Sequence, residues 1–206
     1  MGEGSKERIS LSIYFFLLGF GFASWASRIP SIKENFDFNE AELGNLLLAM
    51  PISSLIGLPI SGWLVSKFNS RVPLFVSFVV FALSLYAIGS VSRLDHLVIA
   101  VSVFSFCMRI SNITVNTQSL ALQEKREKRI IGSFHGLWSL GGLFGALFST
   151  ILVKFKVPMI DHFLYVAVIS LLAGTLAYPF LLKKDKSEVG NKLVLGKPDA
   201  YILYLG

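Results

Sequence analysis

The sequence predicts an all-α, polytopic membrane protein with six transmembrane helices. Three observations carry that class. Six apolar runs follow one another, each long enough to cross a bilayer, which takes about 20 residues. Hydrophobic residues make up 53% of the 206 and charged residues 16%, with a mean hydropathy of +0.65, whereas a soluble domain carries about 25% charged residues. Lys and Arg gather in the short connections on one side of these runs, which is how topology is written into a membrane chain.

The first span lies near residues 9–27. Its run Ile9–Ser24 lacks a small-residue cleavage site, so it reads as a retained span and not an export signal. The prefix Met1–Arg8 has Lys6 where a myristoylation motif needs Ser or Thr. Tyr14, Leu18, Gly21, Trp25 and Arg28 share one helical face. The second span, near 41–65, contains Pro51 and Pro59, which should kink it or free its carbonyls. Val72–Val91 in the third span, near 72–92, and Pro158–Leu182 in the sixth, near 158–182, hold scattered Ser, Thr and Tyr but no amide.

The fourth span, near 97–122, carries the most information. Ser102, Ser105, Arg109, Asn112, Asn116, Ser119 and Gln123 recur every three or four residues, which aligns them in one stripe. At 1.5 Å per residue the stripe climbs roughly 32 Å, close to the hydrocarbon thickness. A charged Arg is costly in lipid, so Arg109 must face protein or water, and the stripe reads as one wall of an aqueous path. The fifth span, near 130–153, sets His135, Trp138, Gly142, Gly145 and Ser149 on one face, and its Gly141-x-x-x-Gly145 spacing suits close helix packing.

Residues 1–182 thus form one six-span bundle. Residues 183–200, with Gly190, Gly196 and Pro198, read as a linker, and residues 201–206 as the start of a truncated seventh span. A missing C-terminal six-helix half is the corresponding expectation. Of the nineteen Lys and Arg, thirteen fall on the side of the N-terminus and the linker, which makes both cytoplasmic. The net charge of +6 is therefore a topology signal, and no nucleic-acid partner is expected. Cys107 is the single cysteine, which excludes an intramolecular disulfide.

A repeat appears at an offset of 88 residues, with Ser53–Ser61 lying over Gly141–Ser149. Leu55/Leu143, Gly57/Gly145, Ser61/Ser149, Leu64/Leu152 and Val65/Val153 are identical pairs. The offset equals three spans and would invert the second copy, giving two inverted three-helix repeats.

With these residues in view, the chain resembles the N-terminal six-helix half of a major facilitator superfamily transporter, in a fucose-permease-like bacterial branch. The loop Gly62-Trp63-Leu64-Val65-Ser66-Lys67-Phe68-Asn69-Ser70-Arg71 is similar to the family's Gly-x-Leu-x-Asp-(Arg/Lys)-x-Gly-x-(Arg/Lys) loop, with Ser66 in place of the Asp and Asn69 in place of the second Gly. Arg109 resembles the family's membrane-embedded Arg. Trp25–Pro30, His135–Gly141 and the long basic linker carry the rest of the likeness. The resemblance implies an inner-membrane secondary transporter working by alternating access, with spans 1, 2, 4 and 5 around a cavity and spans 3 and 6 outside it. It implies a gating role for Gly62, Lys67 and Arg71.

The candidate solute site is Arg109, Asn112 and Asn116, with Trp138 and Trp25 as aromatic surfaces. Arg109 is either a donor gripping a hydroxyl-rich or anionic solute or a structural Arg held by carbonyls and amides. Asn112 and Asn116 suit polyols but also serve as interhelical glue, and Trp25 equally suits an interfacial belt. His135 is the candidate for proton coupling, since an imidazole ordinarily titrates near neutrality and all thirteen acids lie in loops or at span ends; a neutral His bonded to a neighbouring helix is the alternative. His96 and His162 fall at span edges. The expected function is transport of a small polar solute such as a sugar, driven as a symport with protons. The alternatives are a half-transporter that scaffolds or regulates within the membrane, and a drug or metabolite efflux protein. No metal cluster, nucleotide loop or nucleophile constellation is present, so neither an enzyme nor a cofactor is expected.

Overall fold

The computed structural model describes residues 3–127 and 129–185. Lys128, the linker beyond Asp185 and the expected seventh span at 201–206 lie outside the described residues. Seven α-helices follow in order: α1 (Glu3–Ala26), a short α2 (Ile29–Asn35), α3 (Glu40–Lys67), α4 (Arg71–Ser90), α5 (Leu94–Arg126), α6 (Ile131–Lys154) and α7 (Met159–Ala177), with a closing 3₁₀ turn at Tyr178–Phe180. Six of them are long and apolar enough to cross a membrane. The chain is an all-helical integral membrane protein, and its six long helices overlap the six apolar runs, α1 beginning six residues before the first of them.

Local chemistry explains several of these limits. Asn39 and Glu42 form a capping box at the start of α3: the Asn39 side chain accepts from the Glu42 amide at 3.0 Å and the Glu42 carboxylate from the Asn39 amide at 2.9 Å. Pro30 stands in the first turn of α2, where its missing N–H costs nothing. Pro51 and Pro59 lie inside α3 without ending it.

α5 has 33 residues, about 50 Å at 1.5 Å per residue, well beyond a hydrocarbon core of about 30 Å. The Gln123 end closes a turn, its side-chain oxygen accepting from the Ile130 amide at 3.0 Å to start α6.

The principal helix pairings are α1 with α6 and α7, α5 with α3 and α4, α4 with α7, and α1 with α5. Exchanging α1, α3 and α4 for α5, α6 and α7 maps this set onto itself, as an inverted repeat requires. The 88-residue offset shows at atomic level too. Ser61 donates to the Gly57 carbonyl, and Ser149 donates to the Gly145 carbonyl at 2.7 Å; both serines are fully buried.

The core lies among α1, α4, α5 and α7, where Tyr14, Phe78, Phe81, Phe104 and Phe163 are fully buried. Tyr14 donates to the Gly174 carbonyl at 2.8 Å, and Ser77 and Ser111 join α4 to α5 at 2.8 Å. α1 and α6 approach closely. A Cβ on Gly141 would sit 2.0 Å from the Phe16 carbonyl oxygen, and one on Gly19 would sit 2.0 Å from that of Trp138. Small residues at membrane crossings allow this contact.

Candidate functional site

A cleft of about 240 Å³ opens between α3 and α5 at the level of Phe22 on α1. Ser54, Ser105, Arg109 and Asn112 supply its polar wall, and Phe22, Met50, Pro51 and Met108 its apolar one. Arg109 is half-buried. Its Nε donates to Ser54 Oγ at 2.7 Å. Among the described residues, the guanidinium's terminal nitrogens have no protein acceptor and no carboxylate pairs with it. Ser105 Oγ donates to the Met50 carbonyl at 2.7 Å, tying the two walls together. The Asn112 side chain lines the cleft without a hydrogen-bond partner among the described residues. The arrangement offers a cation with free donors, an amide with both a donor and an acceptor, and an apolar floor. Such a surface can hold hydroxyl or anionic groups.

The residues proposed from sequence divide under this geometry. Arg109 and Asn112 meet in the cleft. Asn116 does not line it; its Nδ2 is turned back onto the Asn112 carbonyl at 2.7 Å, one turn away. The stripe is not a continuous wet wall, because Ser105 is buried and Ser119 is fully buried, donating to the Asn116 carbonyl at 2.8 Å. Trp25 is neither a cavity surface nor a belt residue. It is 4% exposed, packed against Phe22 and Phe104 at ring distances of 6.0 and 5.7 Å. The reason is rotational: the face with Tyr14, Leu18, Gly21, Trp25 and Arg28 is the packing face of α1.

Trp138 is half-buried and does not line the cleft; its ring packs against that of Phe22, which does, with centroids 6.3 Å apart and planes inclined by 29°. The expected single face on α6 splits. Gly145 and Ser149 are buried with Phe134 and Gly141, while His135 is exposed and meets Phe15 edge-on at 5.8 Å. His135 makes no hydrogen bond among the described residues, contrary to the alternative of a His bonded to a neighbouring helix. Phe15 precedes Phe22 by seven residues on α1, which puts His135 roughly 10 Å from the level of the cleft.

Much of the expected gating loop is helical: Gly62 is exposed in the last turns of α3, and Lys67, its final residue, stacks over Trp63 at 5.0 Å. Arg71 lies 4.3 Å over the Tyr178 ring and donates to the Tyr178 carbonyl at 3.2 Å, locking α4 to the end of α7. Asp185 accepts from the Ser70 amide at 3.1 Å and from its hydroxyl. A carboxylate there satisfies the N-terminus of α4.

Sequence reasoning missed two groups. Ser54 left only a weak trace, a hydroxyl one turn after Pro51. The other is the buried set at the opposite end of the bundle. Arg28 Nε donates to His162 Nδ1 at 2.9 Å and its Nη2 to the Val157 carbonyl at 2.8 Å, and His162 Nε2 lies 3.3 Å from Ser149 Oγ. Because an Arg Nε can only donate, Nδ1 is the acceptor and Nε2 carries the hydrogen. His162 stands in the first turn of α7, at the edge of the span as read from the sequence, and is fully buried there.

Residues 11–201 match the sequence profile described as Major Facilitator Superfamily. An uncharacterized MFS-type transporter of Yersinia pestis is 32% identical over 143 residues, covering 69% of this chain and 37% of that protein. An uncharacterized transporter of Sinorhizobium fredii is 32% identical over 176 residues, covering 85% of this chain and 46% of that protein. Membrane protein MosC of Rhizobium meliloti is 31% identical over 145 residues, covering 70% and 36%. The crystal structure of the nucleoside transporter NupG superposes with a TM-score of 0.69 at 17% identity, covering 99% of this chain and 51% of that one, a likeness of fold. The chain spans less than half the length of each of these curated relatives.

Proposed function

The chain belongs to the Major Facilitator Superfamily, and from that premise we propose that it supplies one half of an alternating-access transporter for a small polar solute of the sugar class. The observation that carries this reading is Arg109. It is a guanidinium at mid-span that, among the described residues, makes one protein hydrogen bond and opens its terminal nitrogens to a cleft lined by no carboxylate. An intramembrane charge is retained for function by default. Free donors beside the Asn112 amide match hydroxyl groups better than they match a lipophilic drug.

Arg109 and Asn112 bind the solute, Ser54 orients the guanidinium, and Asn116 and Trp138 border the route as the cavity alternates. His135 is the proposed proton carrier, and its exposed position on α6 leaves it free to exchange protons with water. The apolar rows exposed on α3 (Leu48, Ile52, Leu55) and α6 (Leu143, Leu147, Ile151) are supporting features for a second six-helix half packing there. Gly62 and Lys67 at the end of α3 and Arg71 at the start of α4 are the proposed gating residues, at the end of the bundle that carries the N-terminus and that we assign to the cytoplasm of a bacterial inner membrane.

The test is a thermal-shift screen of monosaccharides and polyols on the purified chain, repeated on Arg109→Gln. A solute that raises the melting temperature of the parent and not of a folded Arg109→Gln supports the reading. Equal shifts in both proteins refute it.

A further inference from the structure

Two adjoining cavities lie at the seam between α1 and α7, at the bundle end that carries the N-terminus. The larger, about 550 Å³, is lined by Lys6, Lys125, Lys183 and Lys184 with Glu7 as its single acid. Glu7 pairs through one oxygen with Lys125, whose Nζ donates to it at 2.9 Å, and its other oxygen has no partner among the described residues. Three ammonium groups therefore remain for one pocket. Among the described residues no carboxylate pairs with Lys6, Lys183 or Lys184. The smaller cavity, about 280 Å³, is an apolar groove along Ile9, Ile13, Leu176 and Phe180, and it shares Lys6 and Phe180 with the larger one. Lys6 Nζ stands 5.8 Å over the Phe180 ring, at the junction of the two. Leu176 is 74% exposed and Phe180 47%.

We propose that this seam binds one anionic phospholipid, with its phosphate among Lys6, Lys183 and Lys184 and an acyl chain along the Ile9–Leu176 groove. Charge selects the headgroup: three cations in one pocket favour a net-negative lipid over a zwitterionic one, whose own ammonium they repel. The groove selects a lipid over a free phosphate, since a soluble anion would leave the apolar cavity unfilled. Occupancy would bridge the first and last helices of the bundle, beside the Ser10 hydroxyl that donates to the Ala177 carbonyl at 2.7 Å. The proposal stands independently of the solute site, which lies on α3 and α5.

The experiment is native mass spectrometry of the purified chain in neutral detergent, titrated separately with phosphatidylglycerol, phosphatidylcholine and glycerol phosphate. One retained phosphatidylglycerol, at least tenfold preferred over phosphatidylcholine, is expected, with no adduct from glycerol phosphate. The triple variant Lys6→Gln, Lys183→Gln, Lys184→Gln should lose about tenfold in phosphatidylglycerol retention, while Lys154→Gln with Lys156→Gln, at the other end of the bundle, should not. Equal retention of the two lipids, or an unaffected triple variant, overturns the proposal. Displacement of the lipid by glycerol phosphate would make the pocket a soluble-anion site and overturn it equally.

Discussion

Arg109 on α5 and Ser54 on α3 meet through one hydrogen bond, Nε to Oγ at 2.7 Å. It uses one of the five donors a guanidinium has and fixes its plane against the wall of the cleft. Arg109→Gln should therefore weaken solute binding by about 10- to 100-fold, the equivalent of a charge-assisted hydrogen bond of about 1.5–3 kcal/mol. Ser54→Ala frees the guanidinium without removing it and should cost only a few-fold. Titration calorimetry with the solute found by screening checks both. Arg109→Gln protein that fails to fold would assign the residue a structural role instead.

The α1–α6 crossing predicts a contrast between two glycines of one helix. Gly141→Ala drives a methyl to within 2.0 Å of the Phe16 carbonyl oxygen, so the helices must part. A loss of about 1–3 kcal/mol or more is expected. Gly136→Ala meets nothing within 4 Å and should be neutral or gain up to about 1 kcal/mol from lower chain entropy. Thermal unfolding followed by circular dichroism separates them, and equal melting temperatures would contradict the close approach.

His162→Ala should be among the most damaging substitutions at the bundle end that carries it. It strips the buried Arg28 Nε of its acceptor and leaves Ser149 without its ring partner. An unpaired buried donor costs about 1–3 kcal/mol, and more when charged. His162→Gln, which restores an acceptor, should recover part of the loss in the same assay. No difference between the two would show that the Arg28 contact does not matter.

The Asp185 carboxylate at the head of α4 predicts a loss of about 0.5–2 kcal/mol for Asp185→Ala, as for a deleted helix cap. Hydrogen exchange should report it as faster exchange of the first-turn amides of α4. Unchanged exchange would mean that the contact contributes nothing to the helix.

These outcomes also mark what the sequence could and could not say. The six helices were legible because burying backbone in a bilayer demands long apolar runs, and the inverted repeat because Gly57/Ser61 and Gly145/Ser149 do the same job at both copies. Helix rotation was not legible. In a membrane helix the lipid face and the protein face are both apolar, so the rhythm that aligned Tyr14, Trp25 and Arg28 could not tell core from cavity. For the same reason the stripe on α5 showed which residues share a face but not that Ser119 would be sealed. The Arg28–His162 pair joins residues 134 apart, and no local pattern encodes such a meeting.

The central claim is that water and solute reach Arg109 and Asn112 but not Ser119, farther along the same stripe. The direct measurement places single cysteines at 112 and 119 in a Cys107→Ser background and exposes membrane vesicles to a charged, membrane-impermeant thiol reagent from each side in turn. The account predicts rapid labelling of Asn112→Cys from one side or both, protection of that site by the solute, and no labelling of Ser119→Cys. An unreactive cysteine at 112 from both sides would contradict it.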